Sequence, residues 1–212
     1  MARIKICGIS TLTTLEAVLA ARADFVGFNF FPPSPRHVGL SELAILAARA
    51  GEALKKVGVY VDPDDDLLST TIAVGQLEAI QLHGSETPQR AAEVRARFGK
   101  PVWKVLSIAS AEDVARASNY RDAADFILFD AKTPKNASLP GGMGLRFDWS
   151  LLSRYQGGLP WGLAGGLTPE NVREAVERTG AKLIDTSSGV ESAPGEKDPA
   201  RIAAFCAAAR ST

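Results

Sequence analysis

Cysteine and histidine are scarce in this 212-residue chain, which has two of each. Cys7 and Cys206 stand far apart without metal-ligand spacing, and His37 and His83 form no cluster with them, so neither a disulfide framework nor a metal site is expected. A pairing of the two cysteines stays open at this point. An excess of either charge is missing as well: 24 Lys and Arg balance 24 Asp and Glu. With the basic residues scattered, this argues against a nucleic-acid or membrane-surface protein and leaves a small molecule as the expected partner. No apolar run approaches membrane-spanning length, and no long apolar segment follows the basic residues of Met1 to Gly8, so a cytoplasmic location is expected. Nor does a Pro/Gly/Ser linker divide the chain, so residues 1–212 read as one domain. An apolar share of 46% with 23% charged residues is ordinary for a globular protein with a sizeable core.

Short β-rich apolar runs recur along the chain: Ile4 to Cys7, Phe25 to Phe30, Val57 to Val61, Ala79 to Leu82, Val102 to Leu106, Phe126 to Phe129, Trp161 to Ala164 and Leu183 to Asp185. Most are followed by residues on one helical face, such as Ala91, Val94 and Phe98, or Ile202, Phe205, Cys206 and Ala209. Thr87-Pro88 and Thr168-Pro169 read as helix starts, because Thr accepts from orphan amides and Pro fits the first turn. This alternation predicts a parallel α/β sheet, either open or closed. Eight units of about 26 residues favour closure into a single (β/α)8 barrel. The single glycine of Cys7-Gly8-Ile9-Ser10-Thr11 lacks the nucleotide fingerprint that an open sheet would carry there.

In such a barrel, functional groups gather where strands end. The last two loops, with Gly165-Gly166 and Ser187-Ser188-Gly189, offer backbone amides at the position where barrels hold phosphate, although tight turns would also use glycine. The long connection after the sixth strand carries Gly141, Gly142 and Gly144, which suit a second side of an anion cradle; an unordered connection fits the same composition. Strand alternation puts Lys5 and Cys7 inward, where the ammonium would favour thiolate, and Asp185 on the abutting last strand could balance Lys5. Asp130 shares a face with Phe126 and Leu128, and reads as a loop cap or, if partly buried, as an acid. Arg36, on the proline-stiffened Pro32-Pro33-Ser34-Pro35 loop, is a surface residue or a bidentate carboxylate contact. His83 is a ligand contact or, more readily, a structural residue, and Cys206 belongs to a helical core stripe.

Over nearly its whole length the chain resembles phosphoribosylanthranilate isomerases. The resemblance rests on Lys5-Ile6-Cys7-Gly8-Ile9, Gly27-Phe28 with Ser34-Pro35-Arg36, Gln81-Leu82-His83-Gly84, Phe147-Asp148-Trp149, Ala164-Gly165-Gly166-Leu167 and Asp185-Thr186-Ser187-Ser188-Gly189-Val190-Glu191. It implies a cofactor-free Amadori rearrangement of a phosphosugar substrate by a monomer or homodimer. Cys7 would be general base, Asp130 general acid and Arg36 the anthranilate-carboxylate contact, with the glycine loops and Ser187-Ser188 holding phosphate. The chain departs from the family pattern at Met143, Leu145 and Arg146, and also at Ser10 and Asn29. The sister isomerase of histidine biosynthesis would carry aspartate in place of Cys7. A metal-dependent pentose-phosphate epimerase lacks its ligands here, and a noncatalytic sugar-phosphate binder would have no use for both Cys7 and Asp130.

Overall fold

The computed structural model describes residues 1–132 and 144–211. Eight parallel strands close into a barrel: β1 (Arg3–Cys7), β2 (Phe25–Asn29), β3 (Lys55–Tyr60), β4 (Ala79–Leu82), β5 (Val102–Ile108), β6 (Phe126–Ala131), β7 (Trp161–Leu163) and β8 (Leu183–Thr186), with β8 pairing back onto β1. Around them lie α1 (Leu12–Ala20), α2 (Leu40–Ala50), α3 (Asp65–Gly75), α4 (Pro88–Phe98), α5 (Ala111–Ala115), α6 (Val172–Thr179) and α7 (Pro199–Arg210). A two-stranded antiparallel hairpin, β9 (Glu191–Ala193) and β10 (Glu196–Lys197), sits between β8 and α7.

The period-2 alternation of the strands divides the core into two. Ile4, Ile6, Val26 and Phe28 point outward into the large cluster between sheet and helices. Inside the barrel, Phe25, Val57, Trp103, Phe126, Leu128 and Leu183 belong to a separate cluster. Trp103 meets Phe25 edge-on at 5.2 Å and Phe126 at 5.0 Å. These three aromatics stand at the first or second positions of their strands, so they plug the N-terminal end of the barrel and leave polar residues at the other end.

Two expectations need correction. The sixth strand is followed, among the described residues, by a 3-10 helix over Trp149–Arg154 rather than an α-helix. Buried Trp149 and Leu152 are three apart, the repeat of a 3-10 turn, and Gly157, Gly158 and Pro160 leave no room for further turns before β7. Thr87 does cap α4, accepting from the Arg90 amide at 3.1 Å. The Thr168-Pro169 start, by contrast, lies one turn ahead of α6, whose N-cap position is Asn171. The Asn171 side chain is drawn away, accepting from the Thr168 amide at 2.9 Å and donating to the Gly166 carbonyl at 2.9 Å. It thereby braces the glycine loop after β7.

Candidate active site

Register decides what stands beneath the C-terminal mouth. Lys5 on β1 is directly opposite Asp185 on β8, and its ammonium donates to Asp185 Oδ2 at 2.9 Å, both side chains being buried. Cys7, one inward step above, is buried and free, as is Cys206 within the α7 core, so the two do not pair. Burial opposes the charge on Lys5, yet Asp185 and Cys7 together hold its pKa above the ordinary lysine value. Burial pushes the Cys7 thiol up, and Lys5 draws it down by less. The expected thiolate is therefore not favoured: desolvation outweighs the neighbouring ammonium. Asp185 is likewise held above the usual carboxylate range by burial, with Lys5 opposing and Asp130 adding to the effect.

On the β6 side, Asp130 is buried above Phe126 and Leu128, and its Oδ1 accepts from the Ala131 amide at 2.8 Å. His83, just beyond β4, brings Nε2 to 3.3 Å from Asp130 Oδ2, and its Nδ1 lies 3.5 Å from Gln81 Nε2. His83 thus lines the cleft beside the candidate acid. Gln81 Oε1 and Asp185 Oδ1 are buried without a hydrogen-bond partner among the described residues, and both residues line the same cavity. Unsatisfied polar atoms at a cavity wall suit a ligand rich in hydroxyls.

The opposite rim is backbone. Gly165 and Gly166 take φ of 88° and 60°, values that disfavour any side chain. A Cβ at Gly165 would lie 2.5 Å from the Ala131 amide nitrogen, and one at Gly166 2.6 Å from the Leu145 carbonyl. At Gly189 it would fall 1.8 Å from the Leu167 carbonyl oxygen. Glycine here lets three chain segments touch, and Gly144, Gly165, Gly166, Ser187, Ser188 and Gly189 come together on one cavity wall. Gly142 lies outside the described residues.

Arg36 reaches the cavity from the β2 loop. Ser34 Oγ accepts from the Arg36 amide at 3.2 Å, and Gly8 makes room for the arginine stem, since a Cβ there would lie 2.6 Å from Arg36 Cδ. The guanidinium is already forked: Nε and Nη2 donate to the two carboxylate oxygens of Glu191, each at 2.7 Å. Lys197 also donates to Glu191, and to the Ser187 carbonyl and hydroxyl at 3.2 and 3.1 Å. Neither Glu191 nor Lys197 was assigned a role by the sequence. The available hint was Pro194-Gly195, a turn dipeptide that folds the two back onto each other.

Cys7, Arg36, Gln81, His83, Asp130, Asp185 and the glycine wall together line a cleft that opens at the C-terminal end of the barrel. One wall offers amides for an anion and another a buried cationic fork, with a thiol and a carboxyl between them. Among the described residues no group of three or more His, Cys, Asp or Glu is placed to hold a metal ion, and no helix is long and apolar enough to cross a membrane.

Comparison with known proteins agrees with this geometry. The family model described as N-(5'phosphoribosyl)anthranilate (PRA) isomerase matches residues 4–208. The N-(5'-phosphoribosyl)anthranilate isomerase of Cereibacter sphaeroides is 52% identical over 208 residues, which are 98% of each chain. The crystal structure of phosphoribosyl anthranilate isomerase from Thermotoga maritima superposes with a TM-score of 0.89 at 35% identity, covering all of both chains. Another phosphoribosyl anthranilate isomerase structure, in complex with reduced 1-(o-carboxyphenylamino)-1-deoxyribulose 5-phosphate, gives 0.87 at 33% identity with the same coverage.

Proposed function

The chain belongs to the N-(5'-phosphoribosyl)anthranilate isomerase family, and from that premise we propose how its cavity performs the reaction. The protein is an isomerase of tryptophan biosynthesis, converting N-(5-phosphoribosyl)anthranilate to 1-(2-carboxyphenylamino)-1-deoxyribulose 5-phosphate. The observation that carries the assignment of roles is the meeting of Cys7 and Asp130 in one cleft, brought from strands on different sides of the barrel, with amides and an arginine at its two ends.

The phosphate sits on the glycine wall, where Gly144, Gly165, Gly166, Gly189 and the Ser187-Ser188 turn present N–H and O–H donors. Arg36, its Nε and Nη2 already forked onto Glu191, meets the anthranilate carboxylate. The phosphoribosyl chain then lies over Cys7 and Asp130. Asp130 protonates the furanose ring oxygen, the C1′–O bond breaks, and the anthranilate nitrogen supplies its electron pair to form an iminium ion. The iminium is a positive charge beside a thiol that burial otherwise holds protonated, so it favours thiolate at the step that needs a base. Cys7 thiolate takes the C2′ proton, the electrons flow into the iminium, and the resulting enolamine tautomerises to the ketone. Asp185 anchors Lys5 beneath the thiol and turns its remaining oxygen toward the sugar hydroxyls.

Turnover tests this reading directly, because ring opening and rearrangement consume a fluorescent substrate. Loss of phosphoribosylanthranilate fluorescence at a catalytic rate is expected, with the aminoaldose phosphate of histidine biosynthesis as a parallel substrate. Stoichiometric binding of phosphoribosylanthranilate without conversion would overturn it.

A further inference from the structure

Three charged side chains, Arg36 from the β2 loop and Glu191 and Lys197 from one hairpin, are buried against one another at the rim of the cleft. Glu191 is held by the arginine fork on one side and the lysine ammonium on the other, and its pKa lies below the usual carboxylate range, the two cations outweighing burial. The hairpin that carries it is locked onto the Arg36 loop. Gly195, at φ 87°, packs so closely that a Cβ there would lie 2.8 Å from the Pro35 carbonyl oxygen, and its amide donates back to Glu191 Oε2 at 3.3 Å. Lys197 also holds Ser187, at the start of the turn that faces the phosphate.

Such an arrangement is costly to bury unless its charges are used. We infer that Glu191 and Lys197 are positioning residues: Glu191 fixes the plane of the Arg36 fork for a ligand carboxylate, and Lys197 ties that fork to the phosphate turn. The inference rests on the reading of Arg36 as the carboxylate contact. It makes the hairpin a ruler between the two anionic ends of the substrate, so that a ligand with both anions at the right separation is favoured over one with either alone.

Removing the Glu191 charge has two opposed consequences. Coulomb attraction for an anion would rise, while without Glu191 burial would draw Lys197 further below the ordinary lysine range and offset part of that rise. What remains is the loss of orientation. The amide of Glu191→Gln turns an N–H toward a guanidinium N–H and breaks the fork. A charge-assisted hydrogen bond corresponds to about ten- to a hundredfold in affinity, and that is the loss expected.

The test measures binding of three probes: the reduced product analogue 1-(o-carboxyphenylamino)-1-deoxyribulose 5-phosphate, its counterpart made from aniline and so lacking the carboxylate, and inorganic phosphate. Glu191→Gln should weaken the first by at least ~10-fold and the other two by less than ~3-fold. Lys197→Met should weaken all three, because it also releases Ser187. Equal loss on both analogues with Glu191→Gln, or none on either, would overturn the positioning role, and loss confined to the carboxylated probe with Lys197→Met would overturn the link to the phosphate turn. Should Glu191→Gln melt early, Glu191→Asp, which keeps the charge and shortens the arm, must show the same selective loss. Arg36→Lys run alongside separates the two layers: if it shows no carboxylate dependence the underlying reading falls, whereas a dependence there that is missing in Glu191→Gln refutes this inference alone.

Discussion

Replacing Lys5 with methionine keeps most of the length of the side chain and removes one member of the buried pair with Asp185, 2.9 Å apart beneath the Cys7 thiol. Asp185 would be left with both carboxylate oxygens short of donors, since Oδ1 has no hydrogen-bond partner among the described residues. Breaking a buried pair from one side costs about 3–5 kcal/mol. In a domain of this size each kcal/mol moves the melting temperature by about 2–4 °C, so a fall of roughly 6–20 °C is expected. The pH dependence has a definite sign. Burial already holds the Asp185 pKa above the ordinary carboxylate value, and losing Lys5 raises it further, so the folded variant keeps a proton that the unfolded chain releases. That stabilisation is present below the ordinary carboxylate pKa and is lost as pH rises through the folded value, so the deficit against the parent protein widens from acid toward neutral pH. Thermal denaturation followed by circular dichroism from acid to neutral pH measures both. Lys5→Met with Asp185→Leu should recover most of the loss, since a packed apolar pair replaces the ionic one. The same variant also slows iodoacetamide alkylation of Cys7, because Lys5 draws the thiol down against burial. A Lys5→Met protein that melts within about 2 °C of the parent at every pH and alkylates at the same rate would refute the reasoning.

Further outcomes follow from the same geometry. Gly189→Ala forces a methyl against the Leu167 carbonyl and should part the two glycine loops, weakening competitive inhibition by inorganic phosphate and costing about 1–3 kcal/mol of stability; unchanged phosphate inhibition would count against the anion wall. Arg36→Lys keeps charge but loses the fork, so KM for phosphoribosylanthranilate should rise about 10–100-fold while a substrate lacking the carboxylate is little affected; an equal penalty on both contradicts the assignment. Exhaustive chelation should leave turnover intact, because an iminium supplies the electron sink; loss restored by one divalent ion would refute this.

Much of the barrel could be read from strand ends because alternation is a strict geometric rule. Once Lys5 and Cys7 face inward and the barrel closes, Asp185 can stand beside Lys5, and the structure has that register. The paired glycines after β7 and β8 were visible for the same reason: φ above zero and contact with backbone exclude a side chain, so composition carries the geometry. The state of the Cys7 thiol was not readable. The neighbouring ammonium is written in the sequence, but the desolvation that outweighs it arises only when eight strands bury both groups. Glu191 and Lys197 escaped for another reason. They lie on a short irregular hairpin without periodicity, and their partner Arg36 is distant in sequence, so only the Pro194-Gly195 turn marked the place. The role of His83 stayed open between ligand contact and structural residue because strand alternation gives the direction of a side chain and not the atom it meets, Asp130 Oδ2.

The division of labour between Cys7 and Asp130 is tested most directly by measuring kcat for Cys7→Ser and Asp130→Asn beside their affinity for the reduced product analogue. A serine hydroxyl is far too weak an acid to serve as the base, and an amide cannot supply the proton that opens the ring. Both variants should therefore lose about 10²–10⁴-fold or more in kcat, the usual share of general acid–base catalysis, while binding the analogue within a few-fold of the parent protein. Near-normal turnover in either variant, or a loss of turnover matched by an equal loss of binding, would contradict the account.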